Sequence, residues 1–250
     1  MLKLRGYLGT RAWLRAHEEL VKRLKKIDAL SMQGNTRLWE YPWAYTQLQE
    51  RECQSVLDIG TGTGAFATFL HSEGYKVIGI DNYQFLWSTT PHAAPPGVDL
   101  RAGDALNLPF DDGVFDATIL ISVIEHIPSN TIFCERRQCN KTEEMLREEI
   151  PIKRRAIQEA LRVVRPGGVV VVTSDIYLDH APEVNISWQE LFGLKGMDRS
   201  DLWPYNGTSE ALWRLYFVDF PIHKGRLLPI GITIDKRGSQ ENAHSVSLSA

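Results

Sequence analysis

The 250-residue sequence predicts an α/β fold built on a doubly wound, mainly parallel sheet. Three observations predict it. From residue 53 onward, short β-rich runs alternate with helical stretches, which is how βαβ units read. The first of those runs, VLDIG at 56–60, opens into a glycine-rich turn and then a helical stretch. The second run ends in a carboxylate, Asp81, about 20 residues beyond that turn, where a doubly wound fold places its ribose ligand.

The elements follow in order. Residues 11–30 set Trp13, Ala16, Leu20, Leu24 and Ile27 on one helical stripe, with Arg15, Lys22, Arg23, Lys25 and Lys26 elsewhere, so an amphipathic helix with a solvated basic face is expected. The segment TRLWEYPWAY at 36–45 is unusually aromatic, and Pro42 is expected to interrupt a helix there; it reads equally as a lid over a pocket or as packing. Residues 1–50 thus form an N-terminal helical and aromatic cap. Strands are expected at 55–60, 76–81, 98–103, 115–122 and 169–174, and helices at 64–73, 82–89 and 153–165. The last helix carries Ile157, Ala160, Leu161 and Val164 at helical spacing and stops before Pro166-Gly167-Gly168. Between the fourth strand and that helix, the polar stretch 129–152 reads as an insertion, and a connection of this length is usually functional. Residues 175–225 are rich in aromatics and loop formers and read as an acceptor-side cap, with 226–235 as a late strand closing a main domain over 51–235, followed by a polar tail, 236–250.

Composition narrows the function. With 43% apolar and 24% charged residues and a net charge of -3, the chain has an ordinary globular balance and lacks the basic footprint of a nucleic-acid binder. Cys53, Cys134 and Cys139 have neither CxxC spacing nor an even count, which points to a reduced, cytoplasmic setting without a disulfide framework, zinc site or iron-sulfur cluster. No stretch approaches the roughly 18 apolar residues of a membrane span, and the N-terminus lacks a signal-peptide core. Nor does any residue cluster show metal-ligand spacing.

The strongest local signal is VLDIGTGTGAF at 56–66, where Gly60, Gly62 and Gly64 permit positive φ and close backbone approach by a ligand. Read as G-x-G-x-x-A, residues 60–65 also satisfy a dinucleotide-binding fingerprint, so an NAD(P) oxidoreductase competes. Asp58 tilts the balance, because a carboxylate at the strand end opposes a pyrophosphate but suits the positively charged amino-acid end of S-adenosylmethionine. Asp81 suits ribose hydroxyls with either ligand. Asp104, after the third strand, is placed to accept an adenine amino group or, alternatively, to serve as a turn residue.

The runs VLDIGTGTG, VIGID, GDALNLPFDDGVFDATILISVIEHI and LRVVRPGGVVVVTS resemble, in order and spacing, the class I S-adenosylmethionine-dependent methyltransferases, over roughly residues 53–175. The LPF-x-D-x-x-FD segment and the EHI element are similar to the small-molecule branch of that family. The resemblance implies a Rossmann-like, seven-stranded sheet. It also implies that Asp58, Gly60, Thr61 and Gly62 surround the methionine part of the cofactor, Asp81 and Asn82 the ribose, and Asp104 with Ala105 the adenine, with Ser122 beside the cofactor at the end of the fourth strand. The stretch after Ile127 and the region beyond 175 depart from the family, so it implies nothing about acceptor-site residues.

Methyl transfer chiefly requires alignment and exclusion of water, and a base only when the acceptor must lose a proton; His126 is the candidate for that role, with turn stabilisation as the alternative. The chain lacks an Asp/Asn-Pro-Pro-aromatic motif after the fourth strand and a cysteine following proline, which argues against amide-nitrogen and pyrimidine carbon-5 acceptors. A small molecule or sugar with an oxygen or nitrogen nucleophile is the acceptor expected. An oxidoreductase, and a non-catalytic cofactor-binding scaffold on the same fold, remain the alternatives.

Overall fold

β-Branched and apolar runs become strands whose side chains alternate between two helical layers. The computed structural model describes residues 3–4, 15–27, 37–83, 97–128, 143–177, 211–217 and 227–236, of which 3–4, 143–147, 175–177, 211–217 and 227–230 are described as backbone only. In chain order the elements are β1 (Lys3–Leu4), α1 (Glu18–Ile27), α2 (Arg37–Gln49), β2 (Ser55–Ile59), α3 (Ala65–Ser72), β3 (Lys76–Asp81), β4 (Asp99–Ala102), β5 (Phe115–Ile121), a 3-10 turn (Ile124–His126), α4 (Glu143–Val163), β6 (Val164–Tyr177), β7 (Ala211–Phe217) and β8 (Leu227–Lys236).

The strands form one sheet in the order β1-β7-β8-β6-β5-β2-β3-β4. β4, β3, β2, β5 and β6 are parallel, β8 runs antiparallel between β6 and β7, and β1 pairs parallel with β7. Among the described residues the sheet has eight strands where seven are expected; β1 has only two residues, too few to show alternation in a sequence. From β2 the chain proceeds outward through β3 and β4, then crosses back to place β5 on the other side of β2. The carboxyl ends of β2 and β5 therefore flank a topological switch point, where open α/β sheets bind ligands.

Alternation sorts the core into two layers. Leu57, Ile59, Leu120, Val170 and Val172 pack with Ala156, Ile157, Ala160 and Leu161 of α4. Val56, Ala117, Ile119, Ile121, Val169 and Val171 pack with Leu20 and Leu24 of α1, Trp39, Trp43 and Leu48 of α2, and Phe66, Phe69 and Leu70 of α3. α1 docks through Leu20, Val21 and Leu24, while its basic residues face solvent, Lys22 pairing with Glu18 and Glu19. Ile27, expected on the buried stripe, is exposed.

Two helices differ from expectation. Pro42 does not interrupt the aromatic segment: α2 runs through it from Arg37 to Gln49. Trp39, Pro42, Trp43, Ala44, Tyr45 and Leu48 are all buried, and Trp39 and Trp43 stack with ring centroids 5.1 Å apart. Burial on that scale outweighs the roughly 3 kcal/mol an interior proline costs a helix. α4 begins at Glu143 and passes through Pro151, so the latter part of the polar stretch 129–152 is helix; residues 129–142 lie outside the described residues. Of the helix expected at 82–89, Asn82 and Tyr83 are described and are not helical, while 84–89 and most of the 175–225 cap also lie outside the described residues.

Two clamps hold the segments that lead into the switch point. Asp116 at the start of β5 accepts hydrogen bonds from the Gln54 and Ser55 amides at 2.8 Å and from Arg165 at 2.5 Å, and these partners hold its carboxyl down at about 2. On the other layer, Arg162 of α4 donates to the carbonyls of Leu108 (3.0 Å) and Phe110 (2.7 Å), while Glu159 accepts the Leu108 amide at 3.0 Å. This fixes the LPFDDG loop between β4 and β5 against α4. Among the described residues, no helix is long and apolar enough to cross a membrane.

Candidate active site

β2 ends in a turn whose shape the glycines determine. Gly60, Gly62 and Gly64 have φ of 73°, 56° and 76°, a region that side chains with a Cβ rarely adopt. A Cβ on Gly60 would lie 2.4 Å from a Val123 methyl, so glycine there lets the β2 turn press against the end of β5. A Cβ on Gly62 would meet nothing within 4 Å; its backbone faces open space. The Gly60 and Thr61 amides donate to the Ile80 carbonyl at 2.7 and 3.1 Å, and the Gly62 amide donates to Asp81 Oδ2 at 2.9 Å. Asp81, ending β3, thus ties the turn to the neighbouring strand, while its Oδ1 accepts the Tyr83 amide at 2.8 Å.

Asp58 lies beneath this turn. It is buried and accepts a hydrogen bond from Thr61 Oγ1 at 2.8 Å. Burial pushes its carboxyl up to about 7, the nearby Asp81 charge adding to the rise while the Thr61 bond and Arg37 oppose it. Asn82 follows Asp81 and is exposed. Beyond β4, Asp104 accepts the Leu106 amide at 2.9 Å and its own carbonyl accepts the Asn107 amide at 3.0 Å, the turn role considered for it, while Ala105 and Leu106 pack on the α4-side core. Gly103 donates to the Asp81 carbonyl at 2.9 Å, which brings the Asp104 turn beside the Asp81 end.

At the end of β5, Ser122 takes φ 47°, an uncommon value for a residue with a side chain. A buried polar network holds it there. Ser122 Oγ and Thr173 Oγ1 donate to Glu40 Oε1 at 2.8 and 2.6 Å, Glu40 Oε2 forms an ion pair with Arg37, and Arg37 donates to Ser122 Oγ at 2.5 Å. In the 3-10 turn that follows, Glu125 pairs with Ser174 Oγ at 3.1 Å. Burial, with the Glu40 charge adding to it, pushes the Glu125 carboxyl up to about 7. His126 is half-buried in the same turn.

The turn therefore assembles Asp58, Gly60, Thr61, Gly62 and Asp81 directly, with Asn82, Asp104 and Ala105 on the adjoining strand ends and Ser122 across the switch point. Arg37, Glu40, Thr173 and Ser174 join the site unannounced by the sequence reading. The signals available were slight: an Arg and a Glu three apart inside an otherwise aromatic run, and two hydroxyls closing a valine run.

Residues 57–172 match the family model described as a methyltransferase domain. Over these residues, just under half of its length, the chain is similar to the class I S-adenosylmethionine-dependent methyltransferases. The chain is 29% identical over 145 residues to the demethylmenaquinone methyltransferase of Paenarthrobacter aurescens, covering 58% of the chain and 47% of that protein. The corresponding protein of Renibacterium salmoninarum is 31% identical, with 58% and 50% covered. The 2-methyl-6-phytyl-1,4-hydroquinone methyltransferase of Synechocystis is 29% identical over 121 residues, with 47% and 31% covered. The matched part of the chain spans half or less of the length of these relatives. Its fold is similar to that of a putative sarcosine dimethylglycine methyltransferase from Galdieria sulphuraria, with a TM-score of 0.52 at 15% identity, covering 79% of this chain and 85% of that one.

Proposed function

We propose that the chain binds S-adenosylmethionine across the carboxyl ends of β2, β3 and β4 and catalyses methyl transfer to a small hydroxylated-ring acceptor of the hydroquinone kind. The observation that carries the reading is the β2 turn, which presents open backbone at Gly62 while Asp81 fastens it from the side and Asp58 supports it from below. The residues fit the cofactor. Asp58, Gly60, Thr61 and Gly62 would hold its amino-acid part, where a buried carboxylate suits an ammonium and opposes a pyrophosphate. Asp81 retains lone pairs beyond those used by the Gly62 and Tyr83 amides, enough to accept ribose hydroxyls with Asn82 alongside. Asp104 and Ala105 would meet the adenine, and Ser122 would lie beside the reacting end.

The cofactor supplies a methyl carbon activated by its bond to positively charged sulfur. The chain has to align the acceptor, keep water away and, for a hydroxylated ring, take a proton. The 3-10 turn offers two groups for the proton, His126 and Glu125. Glu125, with a carboxyl near 7, lies in the range where a general base works best at neutral pH. The hydroquinone acceptor rests on the names of the relatives, which are quinone and hydroquinone methyltransferases. Trp39 and Trp43 are core residues, so the stacking surface for a ring is sought elsewhere.

Thermal unfolding with added ligand tests the cofactor. S-adenosylmethionine and S-adenosylhomocysteine are expected to raise the melting temperature, by the equivalent of about 2.7 kcal/mol at a hundredfold excess over Kd, and NADH and NADPH to leave it unchanged. Asp81→Ala should abolish the rise. A shift with the nicotinamide ligands alone would overturn the reading. The acceptor is tested by transfer of a labelled methyl group to simple hydroquinones and demethylmenaquinol; absence of transfer to any of them rejects that acceptor class.

A further inference from the structure

Burying a hydroxyl without a hydrogen bond is unfavourable, and buried polar atoms of native proteins are nearly always paired. Among the described residues one hydroxyl is an exception: the phenol oxygen of Tyr83 is buried and has no hydrogen-bond partner. Tyr83 stands two residues beyond Asp81, just past the end of β3. We propose that its hydroxyl is kept for the cofactor and donates a hydrogen bond to a ribose hydroxyl that itself donates to Asp81. The inference rests on the cofactor reading above and assigns to that site a residue that neither the glycine turn nor the strand-end carboxylates announce.

The backbone holds Tyr83 beside the turn. Its amide donates to Asp81 Oδ1 at 2.8 Å, while the Gly62 amide donates to Oδ2 at 2.9 Å, so one carboxylate ties Tyr83 and the glycine turn together. Tyr83 takes φ 51°, an uncommon value for an aromatic residue, and backbone strain of this kind gathers at ligand sites. Burial, with the Asp81 and Asp58 charges adding to it, pushes the ionisation of the phenol upward, so it stays a proton donor at neutral pH. It nevertheless donates to neither carboxylate. A donor close enough to feel two carboxylates and bonded to neither is matched by a group that can lie among all three.

Ribose supplies such a group. A sugar hydroxyl carries one donor and two acceptor lone pairs. Giving its proton to Asp81 satisfies the donor and leaves the lone pairs, and a bond to a carboxylate makes the sugar oxygen a stronger acceptor. The Asp81 carboxylate, an acceptor, cannot fill those lone pairs; a phenol can. The ligand hydroxyl would thus be paired in both senses, as acceptor to Tyr83 and donor to Asp81. The cost of burying the phenol unpaired in the empty protein would be recovered when the ribose arrives.

Tyr83→Phe removes the hydroxyl and keeps the ring, which makes it the test. Without ligand, the variant should melt at the temperature of the wild type or higher, because the hydroxyl it lacks had no partner there. Calorimetric titration into the whole protein should show S-adenosylhomocysteine weakened by roughly 5- to 30-fold, the loss of a hydrogen bond that leaves a buried ligand hydroxyl unfilled. 5′-Methylthioadenosine, which keeps the ribose and lacks the amino-acid end, should weaken by the same factor, read by displacement of labelled S-adenosylhomocysteine. Unchanged affinity for S-adenosylhomocysteine overturns the contact, and a lower melting temperature of the unliganded variant overturns it by showing that the hydroxyl is structural. A loss confined to S-adenosylhomocysteine, or a wild type from which methylthioadenosine displaces nothing, overturns the assignment to ribose. If the wild type does not bind S-adenosylhomocysteine at all, the cofactor reading itself falls, and the role of Tyr83 with it.

Discussion

Burial sets Asp58 apart from the carboxylates around it. Its carboxyl is raised from 3.8 to about 7 by loss of water, against the pull of the Thr61 hydroxyl. Between these values the unfolded chain ionises while the folded protein keeps its proton, so stability falls as pH rises through that window and levels off above it. Asp58→Asn keeps an acceptor for Thr61 and removes the charge. At pH 8 the variant is expected to be more stable than the wild type, by at most a few kcal/mol at about 1.4 kcal/mol per pH unit, and below about pH 4 the two should coincide. Urea unfolding at both pH values checks this, and a variant less stable at pH 8 would contradict it. On the proposed cofactor reading, the same substitution should also weaken S-adenosylmethionine, whose ammonium would lose its anion, so that the residue would trade stability for binding. At this scale much was legible. Asp58, the glycines and Asp81 could be singled out because a strand, a turn and a strand end follow one another within some 25 residues, and local sequence carries local geometry. Glu40 was not, since a lone glutamate among aromatics reads as a solvent-facing position until the partners that bury it are known.

Helix α2 shows what happens when tertiary packing opposes local propensity. Taken alone, Pro42 argues for a break; in the protein, the helix is set across the sheet by a tryptophan stack that reaches β8. Gly231 makes this possible: a Cβ there would come within 2.6 Å of Trp43 and 2.9 Å of Trp39. Because both rings are buried, they have little room to withdraw. Gly231→Ala is therefore expected to destabilise the protein by about 1–3 kcal/mol, the usual cost of overpacking a core, and to lower amide hydrogen-exchange protection in 37–49 more than in α4. Unchanged stability would show that α2 is not pinned by this contact. The same helix carries Arg37 and Glu40, so its docking on β8 also places the polar network at the end of β5. Strands were more readable than this helix. The run at 76–81 becomes a strand with the expected bounds because its interior, Val77 to Ile80, is apolar and lies between two parallel neighbours, β2 and β4.

Across the whole molecule, the region matching the methyltransferase domain is not a closed structure. Its core on one face, Ile119, Ile121, Val169 and Val171, is covered by α1, α2 and α3, and the outer edge of β6 is paired by β8, which arrives some 50 residues later in the chain. A fragment spanning residues 51–177 would expose both the apolar face under α2 and the hydrogen-bonding edge of β6. It is expected to lack a cooperative thermal transition and to aggregate, and a sharp two-state melt of that fragment would show that the flanking segments are dispensable.

The sequence by itself determined the alternating α/β plan, the parallel strands β2 to β6, the glycine turn after β2 and the carboxylate beside it, because each depends on residues close together in the chain. Only the tertiary structure decided that β8 inserts antiparallel beside β6, that a proline-containing helix covers the sheet, and that Arg37, Glu40, Ser122 and Thr173 meet. Those outcomes join segments far apart in the chain, by 133 positions in the bond from Thr173 to Glu40, and they follow from burial and polar pairing that no local pattern encodes.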